Sequence, residues 1–271
     1  MVISSRTNSR VKRIRRLLSR KERDRTGLFL VEGFQLVEEA AETGADFVEL
    51  ILAPELLSAQ SSRIIASIQA RTNIPSLEVT PEVMKSISPK HGEQGIAAVA
   101  RQRWERMEDI GLSDGTCWVA LDRIELPGSL GTIIRVCDAV GAAGVILLGD
   151  STDPYDPASV RASLGAIFSQ RLVKASFEEF AAWKRQQGAF VVGASPGTAR
   201  DYRAICYPSA LVLAMGSERV GLSPEGKTVC DVMVRIPMVG RCESHHVAVA
   251  TALVLYEIFN QRRAAKGETP C

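Results

Sequence analysis

The chain has 271 residues, room for one large domain or two ordinary ones at roughly 150 residues each. Hydrophobic residues make up 46% and charged residues 24%, a globular balance that excludes disordered, collagen-like and coiled-coil chains. Six cysteines, at 117, 137, 206, 230, 242 and 271, never fall into a C-x-x-C spacing, which argues against a zinc knuckle or disulfide framework and for reduced thiols. No apolar run approaches the roughly 18 residues of a membrane span, and the basic N-terminus lacks the apolar stretch of a secretory signal, so a cytoplasmic protein is expected.

The net charge of +2 hides a strong asymmetry. Residues 1–25 carry ten Lys or Arg against Glu22 and Asp24, a segment charge of +8 that leaves the rest of the chain at −6. Such a block is an electrostatic footprint for phosphates, because each neutralised phosphate releases condensed counterions, or else a solvated helix that only aids solubility. Val11, Ile14, Leu17 and Leu18 recur at helical spacing, so one face packs inward while the basic residues point outward. Candidates for contacts with nucleic-acid phosphates in this segment are Arg6, Arg10, Lys12, Arg13, Arg16, Arg20 and Lys21.

Further along, Leu28 to Val31 reads as a strand, Phe34 to Glu42 as a helix, Phe47 to Leu52 as a strand and Glu55 to Arg71 as largely helical. Thr80 to Ile87 predicts a helix with Pro81 at its first position, and Gly95 to Ala100 a strand. The polar stretch Arg101 to Gly115 reads as a linker, giving domains at 1–100 and 116–271. From Thr116, strands at Trp118 to Leu121, Val145 to Leu148, Phe190 to Val192, Leu211 to Met215 and Val232 to Ile236 alternate with helical patterns. That alternation implies a parallel sheet covered on both faces. A last helix from about His246 to Arg263 places Val249, Leu253, Tyr256 and Ile258 among its apolar positions.

Three glycine-bearing turns hold the chemistry. The first, Leu126 to Arg135 (LPGSLGTIIR), opens from a strand into a helix; Gly128 and Gly131 permit close backbone approach and Arg135 offers a bidentate phosphate contact. The second, Ala214 to Ser223 (AMGSERVGLS), ends a buried strand at a carboxylate, where open α/β sheets bind ligands; Glu218 serves there as a pocket group or as a helix cap. The third, Ile236 to Val247 (IPMVGRCESHHV), carries the adjacent His245 and His246, whose side chains diverge on any regular backbone, so no metal site is expected. Neither the dinucleotide fingerprint nor the phosphate-binding loop is present.

Together these turns resemble the SpoU (TrmH-like) family of RNA 2′-O-ribose methyltransferases, within the SPOUT superfamily. The likeness spans residues 117–260 and includes Asp153 to Phe168, similar to the segment between the family's first and second motifs. Ser5, Asn8, Val11-Lys12, Arg20-Lys21 and Val31-Glu-Gly33 resemble the family's small ribosomal-protein-like substrate-binding domain. The resemblance implies a trefoil-knotted α/β domain that works as a homodimer on ribosomal or transfer RNA and binds S-adenosylmethionine. It carries cofactor contacts onto Ala214, Met215, Gly216, Ile236, Met238, His245 and Val247, and functional roles onto Arg135, Glu218 and Ser244. A further RNA contact falls on Arg161.

Two positions depart from the family: Ser129 and His246 stand where it normally has asparagines. The resemblance extends catalytic roles to both, with His246 taking over hydrogen bonding or accepting a proton. Arg135, whose guanidinium keeps its proton, is expected to clamp the adjoining phosphate beside the cavity that gathers the three turns. The alternative is a weak or inactive member that acts as an RNA-binding or ribosome-associated protein.

Overall fold

The computed structural model describes residues 2–71, 74–88, 90 and 94–267. His91 lies outside them. In chain order the helices are α1 (Ser9–Arg16), α2 (Arg20–Thr26), α3 (Phe34–Glu42), α4 (Ala59–Arg71), α5 (Pro81–Ile87), α6 (Pro127–Ala139), α7 (Pro157–Ser163), α8 (Phe177–Gln187), α9 (Pro224–Thr228) and α10 (Val247–Ala265). The strands are β1 (Leu28–Glu32), β2 (Phe47–Leu52), β3 (Ser76–Glu78), β4 (Ile96–Arg101), β5 (Cys117–Asp122), β6 (Gly144–Leu148), β7 (Leu172–Ala175), β8 (Phe190–Ala194), β9 (Leu211–Gly216) and β10 (Val232–Val234). They form two compact units, one of Met1–Gln102 with Asp153–Ser169 and one of Arg103–Thr152 with the chain from Gln170 onward.

The first unit is a mixed sheet in the order β1-β4-β2-β3, with β4 antiparallel to β1 and β2 and β3 parallel to β2. As the spacing predicts, α1 buries Val11 and Ile14, with Leu17 just beyond, against Leu30, Ile51, Val83, Met84 and Val99. Arg6, Arg10, Lys12, Arg13, Arg16, Arg20 and Lys21 are exposed, although Arg10 pairs with Glu49 and Arg20 stands 3.6 Å from Asp24. Arg23 behaves differently from its neighbours. Only 1% exposed, it donates Nε to Asp153 at 2.6 Å, Nη2 to Asp156 at 3.1 Å and Nη1 to the Leu17 carbonyl at 2.9 Å.

Both carboxylates belong to the stretch 153–169, which therefore packs with the first unit although it lies within the expected domain 116–271. Apolar rings complete the attachment: Phe29 meets Tyr155 at a centroid distance of 4.6 Å and Phe168 at 6.3 Å. Arg161, 3.3 Å from the buried Glu32, is likewise held inside this unit instead of being extended toward RNA.

The second unit is a six-stranded, wholly parallel sheet in the order β10-β8-β9-β5-β6-β7. Its central strands β5, β6 and β9 are buried from end to end, as parallel strands covered on both faces must be. Residues 103–115 do not form the expected free linker. Met107 and Ile110 enter the core, the Trp183 indole donates to the Ile110 carbonyl at 2.8 Å, and Glu105 bridges to Val173 and pairs with Arg171. Among the described residues no helix is long and apolar enough to cross a membrane.

Candidate active site

The carboxyl ends of β8, β9 and β10 open into one cavity of about 350 Å³, within the size range of small-molecule sites. Its walls come from three returns of the chain: Ala194 to Pro196 after β8, Met215 to Gly221 after β9, and Ile236, Met238, Glu243, Ser244, His245, Val247 and Ala250 after β10. This is the location the physics of open parallel sheets favours, because loops leaving the strand ends diverge and leave a crevice.

Gly216 fixes the shape of the cavity floor. After it the chain doubles back so tightly that Ser217 bridges to Gly221, whose N–H donates to the Ser217 carbonyl at 2.9 Å. A Cβ on Gly216 would stand 2.0 Å from the Gly221 carbonyl carbon and 2.0 Å from the Leu222 nitrogen, so only glycine fits. Gly221 makes the return possible with a left-handed φ of +69°. By contrast, a Cβ on Gly128 would meet nothing within 4 Å, so that glycine is not required there by close approach.

Behind the floor lies Asp122, at the end of β5 and in register with Gly216. Buried to 1% exposure, it accepts from the Ser223 N–H at 2.6 Å and so anchors the N-cap of α9, where the Ser223 hydroxyl accepts from the Gly226 N–H at 3.0 Å. In the first turn of that helix the exposed Glu225 carboxyl sits below the usual range, held by hydrogen bonding to its own N–H and to Ser223. Burial pushes the Cys230 thiol up to about 12 and the Cys117 thiol up to about 11, so neither supplies a thiolate near neutrality.

Most of the expected cofactor residues converge: Met215, Gly216, Ile236, Met238, His245 and Val247 line the cavity, joined by Glu218 and Ser244, while Ala214 is buried in β9 behind it. The Glu218 Oε1 atom is buried without a hydrogen-bond partner among the described residues. Ser129 and His246 are brought together at one side, the Ser129 hydroxyl 3.2 Å from His246 Nε2. Helix α10 starts later than Ser244, with His246 as its N-cap.

Arg135 departs from expectation. It is exposed and is not among the cavity-lining residues, because it sits six positions along α6 from Ser129, a rise of about 9 Å. The cavity of this chain therefore gathers the second and third turns; no residue of the first turn lines it, and Ser129 reaches only His246 beside it. Sequence reasoning missed Ala194 to Pro196, although a strand running into Ser-Pro-Gly is a turn signal at the functional end of such a sheet. It also missed Asp122.

A wholly parallel α/β sheet with a cavity at its carboxyl edge defines a ligand-binding α/β scaffold. The sequence profile of the SpoU rRNA methylase family matches residues 116–256, and that of the MRM3-like substrate-binding domain matches residues 8–98. The chain is 31% identical to a 23S rRNA (uridine(2479)-2′-O)-methyltransferase of Streptomyces viridochromogenes, covering 97% of this chain and 93% of the relative. It is 27% identical to a 23S rRNA (guanosine(2553)-2′-O)-methyltransferase of Bacillus subtilis, covering 94% and 98%. Among solved structures, an AdoMet-bound rRNA methyltransferase from Sinorhizobium meliloti superposes with a TM-score of 0.87 at 37% identity, covering 97% of this chain and 98% of that one. The chain belongs to the SpoU rRNA methylase family.

Proposed function

We propose that this protein methylates a ribose 2′-hydroxyl of ribosomal RNA with S-adenosylmethionine as methyl donor. The observation that carries the reading is the cavity itself: a floor only glycine can form, apolar walls from Met215, Ile236, Met238 and Val247, and the unpartnered Glu218 Oε1 suited to a donor on the ligand. Bound there, S-adenosylmethionine supplies a methyl group already activated on a sulfonium. The chain's own work is orientation, which in favourable cases lowers a barrier by roughly 7–11 kcal/mol. Glu218 and Ser244 orient the cofactor, and Arg135, solvent-facing and permanently charged, clamps a phosphate of the RNA. The relatives named above are methyltransferases, which favours this reading over a non-catalytic RNA binder.

The finer parts of the proposal rest on particular features. The trefoil knot implied by the family resemblance belongs to this proposal, supported by the family match over residues 116–256. Val249, Leu253 and Tyr256 are exposed at i, i+4 and i+7 on α10, an apolar stripe that supports a homodimer. The exposed arginines and lysines of α1 and α2 supply the phosphate contacts.

Arg135→Ala is expected to lower methyl transfer to subsaturating large-subunit RNA by about tenfold, the scale of one lost charge-assisted contact, with S-adenosylmethionine affinity nearly unchanged. Transfer by the variant at the wild-type rate contradicts the assignment. Deleting residues 1–25 would also remove Val11, Ile14, Leu17 and Arg23 from the core, so the phosphate contacts are better tested by substitution. Replacing Lys12, Arg13, Arg16, Arg20 and Lys21 by alanine should flatten log affinity against log salt by about 0.7 to 0.9 for each phosphate that is no longer neutralised. An unchanged slope in a folded variant contradicts that role.

A further inference from the structure

We infer that His246 is a positioning residue, locked in its Nε2–H tautomer, that makes the Ser129 hydroxyl an oriented hydrogen-bond donor to an acceptor oxygen of the RNA backbone. The inference rests on the function proposed above. Its starting point is the N-terminus of α10, where His246 Nδ1 accepts from the Ala248 N–H at 3.3 Å. A neutral imidazole has one accepting and one donating nitrogen. With Nδ1 committed as acceptor, the ring proton is on Nε2, and Nε2 faces the Ser129 oxygen at 3.2 Å. The opposite tautomer would set two N–H groups against each other at the helix cap.

The direction of donation then runs from the backbone of α10 through the imidazole to Ser129. The Ser129 oxygen accepts, which leaves its own hydrogen to be donated. Among the described residues no acceptor takes that hydrogen, although Ser129 is only 4% exposed. Neither residue lines the cavity assigned to the cofactor, whereas His245 and Val247 on either side of His246 do. The donor therefore sits beside the cofactor pocket, where the RNA must enter, and a donor in that place meets a phosphate or ribose oxygen. The same geometry removes His246 as a proton acceptor: its one lone pair is occupied by the helix it caps.

Three readouts test this. The chain has three histidines, so imidazole nitrogen shifts resolve each ring by NMR, and His246 is expected as the Nε2–H form. Ser129→Ala and His246→Asn are each expected to lower kcat about tenfold, the size of one lost hydrogen bond, with S-adenosylmethionine affinity within about twofold of wild type. Asparagine is as good an N-cap as any residue, so a loss of rate in His246→Asn reports the link to Ser129 and not the cap. The double variant Ser129→Ala/His246→Asn is expected to lose no more than either single variant, since the two residues act as one unit. An Nδ1–H ring, a His246→Asn variant at the wild-type rate, or additive losses in the double variant would overturn the inference. The tautomer measurement needs no substrate, so its failure strikes this inference alone, whereas a wild-type protein without methyl transfer strikes the proposed function.

Discussion

Gly216→Ala is expected to abolish S-adenosylmethionine binding and to lower methyl transfer by about 100-fold or more, because displacement of reacting groups by an ångström costs on that order. Backbone freedom is not the reason, since Gly216 has no left-handed φ. The reason is space: the added methyl would stand 2.0 Å from backbone atoms of Gly221 and Leu222, and backbone cannot rotate aside as a flexible side chain does. The loop from Ser217 to Gly221 must shift, carrying the cavity-lining Glu218 with it. Gly111→Ala is the matched control. Its Cβ would meet only Gln187 Oε1, at 4.0 Å, so both activity and melting temperature should stay close to wild type. Isothermal titration with S-adenosylmethionine reads the difference, and wild-type affinity in Gly216→Ala contradicts the cavity assignment.

Arg23→Met should destabilise the first unit by about 3–5 kcal/mol, the usual cost of stripping one partner from a buried ion pair. Asp153, 6% exposed, would lose its closest partner, and the Leu17 carbonyl would lose its donor. Lysine does not rescue, because an ammonium cannot span Asp153, Asp156 and Leu17 from a single planar fork. Arg20→Ala, which removes an exposed pair with Asp24, should change stability by no more than about 1 kcal/mol. Differential unfolding of the two variants separates these expectations, and similar stabilities would contradict the account of Arg23. Weaker RNA binding by Arg23→Met would then reflect a loosened unit, not a missing phosphate contact.

The contrast between Arg20 and Arg23 shows where the sequence stops being legible. Both look like members of one basic block, and spacing on α1 correctly separates the buried Val11, Ile14 and Leu17 from the exposed arginines. What sends Arg23 inward is a pair of aspartates 130 and 133 residues away, a long-range pairing that no local period encodes. The same holds for the stretch 153–169, whose motif places it in the catalytic segment while its packing places it with the first unit.

Strands were readable where burial on both faces makes a continuous apolar run, as in β5, β6 and β9. The short β3 and β7 were not, since three or four residues with an exposed polar member resemble loop. On α10 the pattern misleads in an informative way. Val249, Leu253 and Tyr256 look like core positions, yet they face solvent and only Ile258 of the expected set is buried. An apolar helix face left open in this way is what a subunit interface requires.

At the site, the motifs identified most of the cavity-lining residues because loops at the carboxyl ends of parallel strands frame a common crevice. They did not reveal that the two positions departing from the family pattern, Ser129 and His246, touch each other. That contact joins residues 117 positions apart and is a property of the packed α6 and α10 helices.

Transfer of a labelled methyl group from S-adenosylmethionine into large-subunit ribosomal RNA, followed by alkaline hydrolysis, tests the central claim most directly. Methylation at the 2′-oxygen removes the internal nucleophile that alkali needs, so the account expects the label in alkali-stable dinucleotides, at a rate that collapses in Gly216→Ala. Label recovered in base-methylated mononucleotides, or no incorporation by the folded wild-type protein into free RNA or assembled subunits, would contradict it.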